Sequence, residues 1–227
     1  MYRERRSGLL DAVVWHSIAR GPHRVLPDGC MDVLWWRGRL VVAGPDTAAH
    51  VSDVRPGEHV IGLRFDPGVL PAMLGVPASE LADRRPDLVD LWGTARVAPI
   101  EDRIGDSCDP RQVEQAFRQA APSSESTPDT AARRELVRRI GEGASIAELS
   151  DELGWSERHL LRRSREAFGY APSVLRRVLR LQRALLAARA GVPLAQVAQG
   201  AGYYDQAHLS RDVRALAGTT MGSLLSP

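Results

Sequence analysis

Residues 202–211, GYYDQAHLSR, place side chains that can read DNA bases at helical spacing. Asp205 is a residue type that caps the start of a helix, and Gln206, Ser210 and Arg211 follow it. Amide, hydroxyl and guanidinium groups hydrogen-bond to base edges and to phosphates. We therefore ask what this polar face binds.

The segment repeats an earlier one. Two stretches match each other: residues 146–169, IAELSDELGWSERHLLRRSREAFG, and residues 194–218, LAQVAQGAGYYDQAHLSRDVRALAG. The offset between matching residues is 48 at first, and 49 after one residue inserted in the later stretch. Each copy has a short helix, a turn with glycine, and a second helix capped by Ser156 or Asp205. This order predicts two helix-turn-helix units.

Each second helix divides into an inward and an outward face. In the later unit Leu209, Val213 and Leu216 recur at helical spacing and are predicted to be buried. In the earlier unit the pattern predicts burial of Leu160, Leu161 and Phe168. The predicted outward residues are Glu157, Arg158, Arg162 and Arg165 in the first unit and Gln206, Ser210, Arg211 and Arg214 in the second. An arginine-rich face is usually only solvated, but two copies on a basic segment favour DNA binding.

The stretch between the units, PSVLRRVLRLQRALLAAR, predicts one long helix, with Val174, Val178, Leu181 and Leu185 at helical spacing. Its length of about 27 Å is comparable to one turn of B-DNA, about 34 Å. Such a rod would hold two recognition helices in successive segments of the major groove.

Charge is unevenly distributed along the 227 residues. Residues 131–227 hold 15 Arg against 9 acidic residues, whereas residues 1–130 hold 15 Arg against 19. Every basic residue is Arg, which suits phosphate and guanine contacts, although GC-rich coding explains it more simply. We find neither an apolar run near the roughly 20 residues needed to span a bilayer nor a signal peptide, and expect a cytoplasmic protein without a membrane partner. Cys30 and Cys108 fit no CxxC pattern, which excludes a disulfide framework.

The sequence predicts a fold of the α+β class. Residues 121–130, APSSESTPDT, are a predicted linker. Residues 1–120 are predicted to form a small β-rich domain with helices, and a barrel-like form is one option for it. Its predicted elements include a hairpin that turns at Arg37-Gly38 and a strand at HVIGLRF. Residues 131–227 form a predicted all-α domain of two helix-turn-helix units joined by a long helix. Its helices are predicted at 131–141, 145–153, 156–168, 172–190, 194–200, 205–217 and 220–225.

Residues 133–225 resemble the DNA-binding domain of the AraC/XylS family of transcription regulators. The positions that match the G-F-x5-F-x-R-x-F-x4-G signature are Gly202, Tyr203, Leu209, Arg211, Val213 and Gly218. Arg180, Leu181 and Ala184 match R-L-x2-A, and Ala171-Pro172 follow Gly169 as in the family. The chain departs from the family at two positions: Met221 replaces a proline, and Ser164 replaces an aromatic residue. We expect Leu161 and Phe168 to fill the space of that aromatic residue.

The resemblance implies a sequence-specific regulator that binds double-stranded DNA. Arg211 and Arg162 would contact backbone or bases. The residues nearest the bases would be Gln206, Ala207 and Ser210 in the second unit and Glu157, Arg158 and Leu161 in the first. In the family, the region before this domain commonly senses a small molecule, dimerises the protein, or both, which implies a small-molecule effector, a homodimer or both, and RNA polymerase as a partner if the protein is an activator. We expect no cofactor.

The N-terminal part is similar to a domain of certain actinobacterial AraC-like regulators with no assigned ligand. The segments that carry this similarity are LPDGCMDVLWW, VVAGPDT and GLRFDPGVLPAMLGVPASELADR. The effector-pocket candidates are Cys30, Trp35, Trp36 and Arg64. Adjacent Trp35 and Trp36 must point to opposite faces of a strand. A metal or redox site of Cys30 with His16, His23 and Asp32 is disfavoured by the spacing, and we expect Cys30 to be a small residue buried behind an Asp28-Gly29 turn.

Two alternatives to an effector-responsive regulator stay open. A DNA-repair enzyme with a similar helical domain would carry a four-cysteine zinc site, and two cysteines argue against it. We therefore expect no enzymatic activity. A DNA-binding module whose N-terminal half only dimerises or binds a protein partner is the other alternative.

Overall fold

The computed structural model describes residues 2–121 and 128–226. Seven strands lie in the N-terminal part: β1 (Tyr2–Arg6), β2 (Ala12–Ile18), β3 (Arg24–Val25), β4 (Met31–Trp36), β5 (Arg39–Ala43), β6 (His50–Val51) and β7 (His59–Phe65). Five of them form one sheet in the order β1-β2-β7-β4-β5, whose neighbouring strands are antiparallel. Strands β3 and β6 pair separately.

The sheet is open, which corrects the barrel-like option. Within the described residues β1 and β5 are edges that no strand joins. The hairpin prediction is confirmed: β4 and β5 are linked by Arg37 and Gly38, both at positive φ (52° and 74°), as a two-residue turn requires. Strand β1 was not predicted because its sequence, YRERR, is charged and exposed throughout.

Five helices follow the sheet: α1 (Val69–Leu74), α2 (Ala78–Leu81), α3 (Leu88–Trp92), α4 (Thr94–Ile104) and α5 (Pro110–Ala120). Together with one face of the sheet they enclose a core in which Phe65 of β7 lies 5.8 Å from Phe117 of α5, between ring centroids. Helix α4 was not predicted, since Pro99 interrupts its pattern.

The C-terminal part is helical: α6 (Pro128–Glu142), α7 (Ile146–Leu153), α8 (Glu157–Phe168), α9 (Pro172–Arg189), α10 (Leu194–Gly200), α11 (Gln206–Ala217) and α12 (Met221–Leu225). The α+β class, with two helix-turn-helix units joined by a long helix, is confirmed. Two apolar cores share α9: Leu175 belongs to the first, and Leu181 and Leu185 to the second. Helix α12 begins at buried Met221, with Thr220 as its cap.

The predicted linker falls mostly on residues 122–127, which lie outside the described residues. The proposed division at 120 and 131 therefore stays a prediction. None of the described helices is long and apolar enough to cross a membrane.

Candidate nucleic-acid interface

The first helix-turn-helix unit is α7, a turn at Gly154, and α8. Ser145 and Glu148 form a capping box at the start of α7, and Gly154 ends it in the left-handed conformation (φ 63°). Ser156 then caps α8 by accepting a hydrogen bond from the His159 amide, at 3.2 Å. Local sequence chemistry thus fixes both ends of the turn and the direction in which α8 leaves it.

Two expectations about the inward face of α8 need correction. Leu160 and Phe168 are buried as predicted, but Leu161 is only half-buried and does not belong to the core. Leu161 also does not fill the space of the aromatic residue that Ser164 replaces. Ser164 itself is fully buried there, and its hydroxyl donates a hydrogen bond to the Tyr170 carbonyl, at 2.8 Å. A hydroxyl can sit in this core because the carbonyl accepts its proton.

The second unit is α10, a turn at Gly202, and α11. Asp205 caps α11 by accepting from the His208 amide, at 2.6 Å. Leu209, Val213 and Leu216 are buried as predicted. The side chains expected to contact DNA are exposed or half-buried in both units: Glu157, Arg158, Leu161, Arg162, Arg165, Gln206, Ala207, Ser210, Arg211 and Arg214. Both units therefore present a polar outward face, while DNA contact by each residue stays a prediction.

A buried acid on α11 was missed in the sequence. Asp212 accepts from Arg177 at 2.7 Å and from Arg180 at 3.0 Å, both on α9. Arg180 also stacks over the Tyr203 ring, 4.1 Å from its centroid. The signal was available in part, since an acid next to Val213 on the inward face of a helix needs a cationic partner. This cluster attaches the second recognition helix to the connecting helix.

The two recognition helices differ in how their arginines are paired. On α8, Arg162 lies 3.1 Å from Glu166 and near His159, and Arg163 contacts the same glutamate. On α11, Arg211 and Arg214 have no ion-pair partner among the described residues. The positive charge of α11 is thus not offset by acids of its own surface.

The N-terminal part contacts the C-terminal ends of both recognition helices. At α11, the Ala49 amide donates to the Leu216 carbonyl at 2.7 Å, and Arg24 donates to the Ala217 carbonyl at 3.0 Å. Just after α8, the Tyr170 hydroxyl donates to the Asp46 carbonyl at 2.6 Å. Within the described part of the chain, none of these contacts involves the first turn of either helix.

The connecting helix is held by the same part of the chain. Gln182 of α9 donates to the Pro27 carbonyl, at 2.7 Å. Gly29, at a φ of 81°, packs closely beside Leu175. The segment from Pro27 to Gly29 therefore rests directly on the helix that spaces the two units.

The structure separates the four effector-pocket candidates. Trp35 is buried in the N-terminal core. Trp36 lies on the opposite face of the strand, as predicted, where it donates to Glu58 and Arg37 stacks on its ring. Cys30 and Arg64 lie together in a second cluster.

That second cluster contains Asp28 and Asp32, each within 4 Å of the Arg64 guanidinium. Burial raises the pKa of Asp32 to about 6 although Arg64 opposes it, and burial also raises the pKa of Asp28. Burial raises the pKa of the Cys30 thiol as well, so the thiol stays protonated.

The two histidines of the disfavoured metal site have partners outside the cluster of Cys30 and Asp32. His16 faces His59, with 3.1 Å between ring nitrogens, and His23 contacts the Ser52 hydroxyl. Asp32 instead accepts from the Trp15 indole, at 2.7 Å.

Comparison with known proteins agrees with this architecture. Residues 149–226 match a family described as a helix-turn-helix domain, and residues 12–87 match a domain of unknown function, DUF6597. A search of curated proteins found no similar sequence. The first match contains both recognition helices.

Solved structures include an apo ToxT variant from Vibrio cholerae, with a TM-score of 0.53 at 11% identity over 95% of this chain and 97% of that one. A probable AraC family transcriptional regulator from Rhodopseudomonas palustris is 24% identical over 42% of this chain and 94% of its own, with a TM-score of 0.36. The C-terminal domain of AraT from Geobacillus stearothermophilus is 18% identical over 45% and 87%, with a TM-score of 0.39.

The fold and the paired helix-turn-helix units define a DNA-binding transcription regulator. The resemblance of the chain to AraC-family regulators, inferred from the sequence, is confirmed.

Proposed function

We propose that the protein binds a specific DNA site by inserting α8 and α11 into two successive segments of the major groove, on one face of the duplex. The observation that carries this proposal is the pair of capped helices, with exposed first turns, at either end of the 18-residue α9. At about 1.5 Å per residue, α9 is about 27 Å long, close to the repeat of B-DNA.

Within each helix, chemistry suggests the role of each residue. On α11, Gln206 suits adenine, and Arg211 suits guanine or phosphate. On α8, Arg158, Arg162 and Arg165 offer the same donors, but Glu166 already neutralises part of that charge. We therefore assign the larger share of the binding free energy to α11.

We further propose that residues 1–120 form a domain that senses a small molecule, that 121–130 link it to the rest, and that 131–227 form the DNA-binding domain. The contacts of the N-terminal part with α9 and with the ends of α8 and α11 support this coupling. A ligand that displaced Asp28 from Arg64 would move the segment packed on α9, and hence the spacing of the two recognition helices.

The alternative is that the N-terminal part only joins copies of the chain or binds a protein such as RNA polymerase. Strand β1 favours it, because its outer edge is unpaired among the described strands and all five residues are exposed. Thermal-shift screening of the full chain against diverse metabolites, beside sedimentation analysis, separates the two. Self-association without any ligand response would favour the alternative.

The central experiment is selection of binding sites from random duplex DNA with the full chain, followed by footprinting of the selected sites. We expect two protected segments whose centres lie about 10 base pairs apart on one face. Protection of a single segment, or selection of no common sequence, would contradict insertion of both helices.

A further inference from the structure

The two helix-turn-helix units are built alike around a histidine. In the first, Trp155 packs on His159, with 4.8 Å between ring centroids. In the second, Tyr203 packs edge-on against His208, at 5.3 Å. In both units the amide of that histidine donates to the helix cap. Trp155 and Tyr203 are thus structural equivalents.

This equivalence identifies the extra residue of the second turn. Between the glycine and the helix cap the first unit has Trp155 alone, whereas the second has Tyr203 and Tyr204. Tyr203 takes the structural position and is buried under Arg180. Tyr204 is therefore an insertion that the fold of the unit does not require.

Tyr204 is held where it can meet DNA. Its side chain is 93% exposed, more than that of any other large apolar residue in the described part of the chain. Its hydroxyl has no hydrogen-bond partner among the described residues, while its amide donates to the His208 ring at 3.4 Å. The backbone is thus anchored directly before the cap of α11, and the ring projects into solvent.

An exposed aromatic ring next to a recognition helix can contact DNA without adding charge. A phenol hydroxyl donates to phosphate oxygens, and its ring packs on apolar surface of the sugar. We propose that Tyr204 contacts the DNA backbone at the edge of the groove entered by α11, with the ring against a deoxyribose and the hydroxyl donating to a phosphate. The first unit has no counterpart, so this contact adds to the dominance of α11. The proposal rests on the DNA-binding function proposed above.

The test uses the full chain, the selected duplex and an unrelated duplex of equal length. We expect Tyr204→Ala to weaken binding to both by about tenfold and Tyr204→Phe by about threefold. The slope of affinity against salt should not change, since a neutral donor releases no counterion. In an ethylation-interference experiment, ethylation of one phosphate should weaken DNA binding by the wild-type protein and leave binding by Tyr204→Ala unchanged.

Leu186→Ala is the matched control, because Leu186 of α9 is also strongly exposed; it should bind as the wild-type protein does. If the wild-type protein selects DNA and Tyr204→Ala binds it equally well, this proposal alone is overturned. Binding by Tyr204→Phe equal to wild type would overturn the hydroxyl contact. If the wild-type protein selects no sequence, the proposed function fails as well.

Discussion

Arg180 and Asp212 join the connecting helix to the second recognition helix through a charged hydrogen bond of 3.0 Å. Both side chains are largely buried, at 15% and 6% exposure, and Arg177 approaches the other carboxylate oxygen. The orientation of α11 thus depends on an ion pair between helices as well as on apolar packing.

Asp212→Asn should lower the free energy of unfolding by about 3 kcal/mol, since it leaves a poorly solvated arginine without its counter-charge. Urea denaturation measures this. Glu135→Gln, which removes a solvent-exposed partner of Arg138, is the control and should have little effect. Equal losses in the two variants would show that the Asp212 pair is no stronger than a surface pair.

Arg211→Ala should weaken specific DNA binding by tenfold or more and reduce the salt slope by about one unit if the arginine contacts a phosphate. Arg162→Ala should lose less, because Glu166 already partners Arg162. Arg3→Ala, on exposed β1, is the control for the loss of one positive charge. Titrations at several salt concentrations measure all three, and a larger loss for Arg162→Ala would contradict the assigned dominance of α11.

Tyr170→Phe should cost about 1 kcal/mol of stability, because it removes the hydrogen bond to the Asp46 carbonyl from a buried contact between the two parts of the chain. Tyr204→Phe removes the same hydroxyl from an exposed ring and should leave stability unchanged. Denaturant titration compares them. Identical midpoints for Tyr170→Phe and wild type would show that the contact does not contribute to stability.

The contribution of Asp32 to stability should rise as the pH falls from 7 to 5, although His16 and His50, whose pKa values are lowered by burial, act in the opposite direction. Burial raises the pKa of Asp32 from 3.8 to about 6, so in this range the folded protein binds a proton that the unfolded chain does not. The contribution is about 1.4 kcal/mol per pH unit below the folded pKa. Asp28 and Arg64 face the same carboxylate and remain in the variant.

Asp32→Asn should abolish that part of the pH dependence, which urea denaturation at pH 7, 6 and 5 would measure. If wild type and variant gain equal stability on acidification, Asp32 is not the group that takes up the proton.

The helical part was predictable from the sequence because its signals are local. Caps such as Ser156 and Asp205, the spacing of Leu209, Val213 and Leu216, and the internal repeat each depend on neighbouring residues. The observed ends of α10 coincide with the predicted ones, and those of α11 differ by one residue at the start.

What the sequence did not reveal depends on distant partners. The spacing of Leu161 did not show that it would lie outside the core, and Trp35 could be assigned to core or pocket only once the helices covered one face of the sheet. The pairing of Arg64 with Asp28 and Asp32 joins segments more than 30 residues apart. Such contacts leave no periodic trace in the sequence.

The hydrogen bonds between the two parts of the chain largely end on main-chain carbonyls, among them those of Pro27, Asp46, Leu216 and Ala217. Every residue type supplies a carbonyl, so mutation at these acceptor positions does not remove the acceptor. The residues in the first turns of α8 and α11, and with them the bases that they recognise, can therefore change during evolution. The hydrogen bonds that support the two recognition helices would be kept.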